Sequence, residues 1–428
     1  MFLVKKMGRL NRDFLALLFV LFLFLGACDS ASMQASRTKT ASEQSNLKKN
    51  QSKKQFRAPL KNQQIFSVGE NEADLFWQTS EPVSTSVSYG KKRDLLTTIT
   101  EEKFQKNHYL RIKNLKPDTT YYYRINGVKD SKLEKFRTLS RPGGKHLFSF
   151  AVCTDTHLTN TKLDQYGALY KESWEIFGNL VDEVNEEKVD FLVIKGDISH
   201  HSESLDYQAL VKTTACLNCE TYVVPGNHDK TQPGWGLFFS SFSPSSSSYF
   251  SLDHKKWHFV FLDSATEELD QGNLGSKQLA WLRKDLNTSA DTPTMIFMHH
   301  LVRQTVFPKA DRFFVQDSEE LLKIIASDSV VAVHSGHAHL NKVSSYKDTD
   351  LIVTAAVINY PTQYNVYHVY EKGYVQVSHR LRSYLDLGEI SKETMASTYS
   401  FRFGLKSELV PAFIEGTLED RSFVRKIK

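Results

Sequence analysis

Nine of the fifteen histidines, at 157, 200, 201, 228, 299, 300, 334, 337 and 339, crowd into a few short stretches of the chain. Carboxylates and an amide stand beside them in five separate blocks: Asp155-Thr-His157, Gly196-Asp197, Gly226-Asn227-His228-Asp229, His299-His300 and Gly336-His337-Ala-His339. Two divalent ions ~3.5–4 Å apart need a bridging carboxylate, further oxygen donors and imidazoles. Asp and Asn suit hard ions, and imidazole suits iron, zinc and manganese. A lone histidine beside a strand is ordinarily structural, but five such blocks together point to a metal centre. Glycines ahead of Asp197, Asn227 and His337 permit the tight turns that aim side chains inward.

These blocks need elements to position them. Each follows a short apolar run that reads as a buried strand, at 148–152, 191–194, 222–224, 295–298 and 330–333, with a further strand at 259–262. Phe177, Leu180, Val181 and Val184 recur at helical spacing, and residues 278–286 form an amphipathic helix. Asp317-Ser-Glu-Glu320 ahead of Leu321-Leu-Lys-Ile-Ile325 is a capping signature. The pattern predicts an α/β layered domain with its site past the carboxyl ends of the strands.

Taken in order, the blocks D-x-H, GD, GNH-D, H and GHxH resemble the calcineurin-like metallophosphoesterase superfamily over residues 146–380. The resemblance implies a four-layer α/β domain at 145–384, a β-sandwich flanked by helices. It implies that Asp155, His157, Asp197 and His339 hold one metal ion. Asp197 then bridges to a second ion completed by Asn227, His299 and His337, the ions being iron, manganese or zinc. His299 is preferred to His300 because family members keep only the first histidine of such a pair. His228 is implied to lie beside the metals without binding them, so that Asp197 and His228 are the catalytic residues. The implied reaction is hydrolysis of a phosphomonoester or phosphodiester, with a metal-bound hydroxide attacking phosphorus in line and His228 assisting the leaving oxygen. Purple acid phosphatases join a sandwich to this fold, but with D-x-G in the first block and a tyrosine shortly after GD. His157 and His200 stand there instead, so no tyrosinate-to-iron colour is expected. The first block looks more like that of bacterial phosphodiesterases of the superfamily. His200, His300 and Arg303 are candidate contacts to the substrate phosphate.

Residues 59–140 follow a different grammar. Strands at 75–78, 84–89 and 120–125 are separated by turn signals at Glu81-Pro82, Lys116-Pro117-Asp118 and Asn126-Gly127, which predicts an all-β sandwich. The segment Leu115-Lys-Pro117-Asp-Thr119-Thr-Tyr121 resembles the tyrosine-corner stretch of fibronectin type III domains, with Trp77 in the core and Phe136-Arg-Thr138 as closing strand. It carries no metal spacing, and such a domain is a spacer or a wall beside the substrate. Residues 385–428 contain no motif; Phe401, Phe403, Leu405, Leu409 and Phe413 suggest a segment packed back on a domain.

Lys5, Lys6, Arg9 and Arg12 precede an apolar run at 14–25, well short of the ~20 residues that cross a bilayer. The run ends in Leu25-Gly-Ala-Cys28, which resembles the lipobox of bacterial lipoproteins. That implies a leader at 1–27, acylation of Cys28, and anchoring to a membrane of the bacterial cell envelope on its extracytoplasmic side. Residues 28–58, rich in Ser, Lys, Gln and Thr, read as a flexible tether. With 40% hydrophobic and 24% charged residues the chain is neither disordered, collagen-like nor a polytopic membrane protein. Residues 1–58 carry eleven Lys and Arg against three acids, leaving 43 basic and 46 acidic residues elsewhere, a net of −3. Charge therefore gives the folded part no basic face for nucleic acid, which disfavours a nuclease of the same superfamily. A non-catalytic surface-binding lipoprotein is disfavoured because no block is damaged. Cys216-Leu-Asn-Cys219 is compatible with a disulfide, a metal pair or two incidental thiols, and Cys153 with a core position.

Overall fold

The protein is described by a computed structural model over residues 58–231, 235–242, 247–303, 311–326 and 329–427. The leader, Cys28 and the tether to residue 57 lie outside these residues. Alternating apolar positions give six strands at the start: β1 (Ala58–Val68), β2 (Ala73–Gly90), β3 (Thr97–Ile112), β4 (Thr120–Ile125), β5 (Val128–Lys129) and β6 (Glu134–Arg137). β3 accompanies β2 along its length, whereas β1 pairs only with residues 73–79 and β4 only with residues 87–90. Trp77 from the first half and Val87 from the second share one core with Tyr121, Tyr123 and Phe136. The turn expected at Glu81-Pro82 is absent. The strand runs through it with a register slip between Gln78 and Val83. Pro82 has no N–H for the ladder, so it is accommodated where the ladder is already broken.

Past residue 145, strands alternate with helices. β7 (His146–Cys153), α1 (Ser173–Glu187), β8 (Phe191–Lys195), α2 (Ser204–Thr214) and β9 (Glu220–Val224) build parallel pairs. After α3 (Trp235–Phe242), a second sheet forms from β10 (Phe250–His254), β11 (Trp257–Phe261), β12 (Thr294–Phe297), β13 (Val330–Ser335), β14 (Lys342–Tyr346) and β15 (Thr349–Val353). Its helices are α4 (Gly275–Thr288) and α5 (Ser318–Ile325). β16 (Gln363–Tyr370), β17 (Gly373–Arg380) and β18 (Ser422–Lys426) complete the first sheet in the order β18-β17-β16-β7-β8-β9. The period of two sorts side chains between layers. Phe148, Phe150 and Val152 of β7 meet Phe259, Phe261 and Phe297 of the facing sheet. Ala151 and Cys153 point the other way, to Phe177, Leu180 and Val184 of α1. On the outer face of the second sheet, Val260, Ile296 and Val333 pack on Leu282 of α4 and Leu321 of α5. The order is helix, sheet, sheet, helix.

Asp317 behaves differently from its sequence signature. It precedes α5 but makes no side-chain cap there. Its carboxylate instead accepts the Leu274 and Gly275 N–H groups at 3.1 and 2.8 Å, capping the neighbouring α4. The chain beyond residue 384 joins the layers. β18 is the edge strand beside β17, and α6 (Leu385–Phe403) packs through Met395, Tyr399 and Phe403 on Leu301, Phe313 and Leu340.

A buried charge cluster joins the first six strands to the layers. Arg111 of β3 is paired with Asp74 of β2 at 3.1 Å and with Glu187 at the end of α1, while His379 of β17 lies 2.7 Å from Asp74. Burial alone would raise the Asp74 carboxyl, but Arg111 and His379 outweigh it and hold it at about 2. Glu187 is likewise held at about 2 by His379 and Arg111 against its burial. Both carboxyls are depressed, so their contribution is complete above the ordinary carboxylate range and is lost as pH falls towards 2. Arg111→Ala should cost ~3–5 kcal/mol in denaturant unfolding at pH 7, because two buried carboxylates lose their partner. The stability of the variant should also fall less steeply than wild type between about pH 4.5 and 2.5. A variant of wild-type stability would show the cluster to be dispensable.

Candidate metal centre

The five histidine and carboxylate blocks meet past the carboxyl ends of β7, β8, β9, β12 and β13. The turns that bring them there are sharp. Asp155 (φ 55°), His157 (39°), Asp197 (49°), His337 (61°) and His339 (56°) all occupy the left-handed region. Each such non-glycine residue costs of order 1–3 kcal/mol, and left-handed residues of this kind gather at functional sites. Glycine is required at two positions beside them. Gly196 has φ 78°, and a Cβ there would stand 2.6 Å from His299 Nδ1. A Cβ on Gly226 would stand 2.2 Å from Asp197 Oδ1.

Two groups of donors converge. In the first, Asp155 Oδ1 lies 3.1 Å from His339 Nε2, and His339 Nε2 lies 3.4 Å from His157 Nε2. In the second, His299 Nε2 lies 3.1 Å from His337 Nδ1. Asp197 Oδ2 stands between them, 3.6 Å from His157 Nε2 and 3.3 Å from His299 Nε2. The rings are turned by bonds on their far sides. His299 Nδ1–H donates to the Lys195 carbonyl at 2.9 Å, and His337 Nε2–H to the Arg312 carbonyl at 3.0 Å. The Asn359 amide is 3.2 Å from His339 Nδ1. Its oxygen otherwise has no partner, and exchanging the ends of the amide lets it accept the His339 N–H. Each arrangement leaves the inward nitrogen with its lone pair.

This donor set fits two cations. Asp155 Oδ1 and Asn227 Oδ1 are buried oxygens that accept no hydrogen bond, an expensive condition unless a cation takes their lone pairs. Burial works against the Asp155 charge, but His339 and His299 outweigh it and hold the carboxyl at about 2. Asp197 is held well below the carboxylate range by His299 and His228, again against burial. Burial keeps His157 and His337 well below the ordinary imidazole value, hence neutral and able to ligate. His299 is pulled down by burial and pushed up to about 9 by Asp197, so positive charge is favoured where the second group meets the first.

The other expected residues divide. His228 has its backbone N–H on Asp197 Oδ1 at 3.0 Å and its Nδ1–H on the His200 carbonyl at 2.8 Å, so it adjoins the donors while its Nε2 stays available. His200 lies with Nδ1 3.4 Å from His157 Nδ1 and stacks on Tyr170 at 4.1 Å. One phosphate-contact expectation is corrected. His300 is wholly buried, with one nitrogen on Ser264 Oγ at 2.9 Å and the other on the Asp270 carbonyl at 3.0 Å, so neither is left for substrate. Arg303 turns to Asp311 at 2.9 Å and lies over the Phe314 ring. His334 is stacked on Phe297 in the core between the sheets.

Sequence reasoning missed Lys195, Asn359, Tyr170, Tyr399 and Arg402. Lys195 carried a signal, standing directly before Gly196-Asp197. Its buried ammonium ties β8 to the facing sheet through the Ser335 carbonyl at 2.6 Å and Thr354 Oγ1 at 2.8 Å. The other four reach the site only through tertiary packing and stand in no motif.

The Calcineurin-like phosphoesterase family profile matches residues 148–341. The chain is 30% identical over 204 residues to a probable cyclic nucleotide phosphodiesterase of Synechococcus sp., covering 46% of this chain and 75% of that protein. It is 23% identical over 220 residues to a glycerophosphodiester phosphodiesterase of Enterobacter lignolyticus, covering 49% of this chain and 77% of that protein. Among solved structures, a dimetal phosphatase from Danio rerio aligns at 18% identity with a TM-score of 0.49, covering 55% of this chain and 97% of that one.

Purified protein should carry up to two transition ions per chain by elemental analysis. Asp197→Ala removes the carboxylate placed between both groups and should lower occupancy at both. Asn359→Ala leaves every ligand in place and should weaken metal affinity by roughly 10–100-fold. Full occupancy in Asp197→Ala after dialysis would contradict the bridging position.

Proposed function

Because the chain belongs to the calcineurin-like phosphoesterase family, and is thus a hydrolase of phosphate ester bonds, we propose that its substrates are phosphodiesters. The observation that carries this reading is the position of Asp197 Oδ2 at the join of two imidazole groups, 3.6 and 3.3 Å from their nearest nitrogens. Relatives named for cyclic nucleotide and glycerophosphodiester substrates support the diester. Cations held by Asp155, His157, Asp197, Asn227, His299, His337 and His339 would supply positive charge to the phosphoryl oxygens and acidify water.

The chain's own side chains orient and transfer protons. His228 is held at two points, and the Asp197 carboxylate and the His200 carbonyl favour its protonated ring against the pull of burial. Its Nε2 is the group that hands a proton to the leaving oxygen. A crevice of about 330 Å³, lined by His200, His201, His228, Thr231 and Asp270 among others, receives the ester group on that side.

The first six strands are read as a fibronectin type III-like wall. Lys116 N–H donates to the Tyr121 hydroxyl at 2.9 Å, the bond of a tyrosine corner, which supports this. Leu25-Gly-Ala-Cys28 supports acylation of Cys28 and an anchor on the outer side of a cell-envelope membrane. Cys28→Ser should abolish processing or release the protein from the detergent-soluble membrane fraction, and unchanged processing and association would overturn the anchor.

Metal-loaded protein assayed on bis(p-nitrophenyl) phosphate and cyclic nucleotides should hydrolyse the diester bond, and inactivity on every diester would overturn the reading. His228→Gln should keep both ions and lose ~10²–10⁴-fold in turnover on alkyl esters, whose leaving oxygen needs a proton. The loss on p-nitrophenyl esters should be small. Loss of metal, or equal slowing of all esters, would make His228 a ligand or a phosphate anchor instead.

A further inference from the structure

A cavity of about 450 Å³, separate from the crevice at His228, opens at the amino end of β7, the end away from Asp155. Its walls are β7, the neighbouring β16 and the turn between β1 and β2, so the first six strands and the layers both contribute to it. Within it Ser149 Oγ lies 3.0 Å from His146 Nε2 and 2.9 Å from His368 Nδ1. The hydroxyl donates to one ring and accepts from the other. Either arrangement leaves His368 Nε2 buried and without a partner.

Glu70 enters the lining from the turn. It is 3% exposed, and its Oε1 accepts the Tyr370 hydroxyl at 2.7 Å. Its Oε2 is buried with no hydrogen-bond partner, an expensive condition that a donor on a ligand would relieve. Arg141 and Lys145 also line the cavity, and among the described residues neither makes an ion pair. The lining thus offers two unpaired cations and one carboxylate with an open oxygen. A metal ion does not suit it, because among the described residues no three His, Cys or carboxylate donors converge here. An inorganic anion would satisfy the cations and leave Glu70 Oε2 unmet.

We propose that this cavity binds a small acidic amino acid, its ammonium group on Glu70 Oε2 and its two carboxylates on Arg141 and Lys145. The charges of ligand and lining are complementary one for one. The ammonium group supplies the donor that Glu70 lacks, and the guanidinium fork of Arg141 matches a carboxylate edge. His368 Nε2 adds a polar point on the wall between them. The volume falls within the ~300–1,000 Å³ of small-molecule sites. No group of the metal centre takes part, so the inference stands apart from the reaction assigned there.

The test titrates full-length, metal-loaded wild type, Glu70→Gln and Arg141→Gln by calorimetry. The probes are L-aspartate and L-glutamate, with succinate and glutarate as counterparts that lack the amino group. Wild type should bind at least one of the amino acids about tenfold or more tightly than its counterpart, the discrimination of one charge-assisted hydrogen bond. Glu70→Gln keeps an acceptor for Tyr370 and should abolish that preference. Arg141→Gln should weaken amino acid and counterpart alike, by about tenfold. Hydrolysis of bis(p-nitrophenyl) phosphate should be unchanged in both variants. No binding of either amino acid to wild type at millimolar concentration overturns the inference. Equal affinity for amino acid and counterpart makes this a plain anion site and overturns it too. Binding that neither substitution alters places the ligand elsewhere, on the metals for instance, and is equally fatal. Should Glu70→Gln not fold, the wild-type comparison and the exposed Arg141 decide.

Discussion

Two carboxylates, Asp155 and Asp197, are wholly or almost wholly buried and face the same small space. An unpaired anion in such a place is far too costly to persist, and two are worse. Everything around them answers this constraint. Imidazoles are aimed inward by bonds on their far sides, and Asp155 Oδ1 and Asn227 Oδ1 are buried without a hydrogen-bond partner. The site is built for positive charge, and among the described residues Asp155 and Asp197 pair with histidines and with no lysine or arginine.

Holding such a set together requires a stiff support. The layered sheets deliver each block at a strand end, and the left-handed residues at 155, 157, 197, 337 and 339 store the strain of turning side chains inward. Lys195 locks the two sheets directly beneath the site. Farther away, Arg111 pairs with Glu187 of α1 and Asp74 with His379 of β17, which ties the first six strands to the layers.

The C-terminal segment changes how the domain is drawn. β18 completes the first sheet, and α6 brings the Tyr399 hydroxyl to 3.5 Å from His339 Nδ1. This helix packs on the loops that carry His299, His337 and His339, so the centre depends on a part of the chain outside the matched region.

The ligand blocks were legible in the sequence because their chemistry demands particular residue types at strand ends, and strand alternation marks where those ends are. The four layers follow from the same alternation, since Phe148, Phe150 and Val152 can face only one way together. Other features depended on groups far apart in the chain. Asp317 reads as the cap of its own helix, but its carboxylate accepts the Leu274 and Gly275 N–H groups instead. His299 and His300 are adjacent and of the same type; only Ser264 and Asp270, 36 and 30 positions earlier in the chain than His300, decide that His300 is structural. Pro82 reads as a turn until β3 is paired alongside it. Arg402 stands in no motif at all, and its placement rests on Phe313 and Tyr399. Local residue type and period determine which donors exist and which way they face, because those are properties of a strand or turn by itself. Which nitrogen is used, which charge is paired and which is left open are decided only when distant segments pack, because those properties belong to contacts.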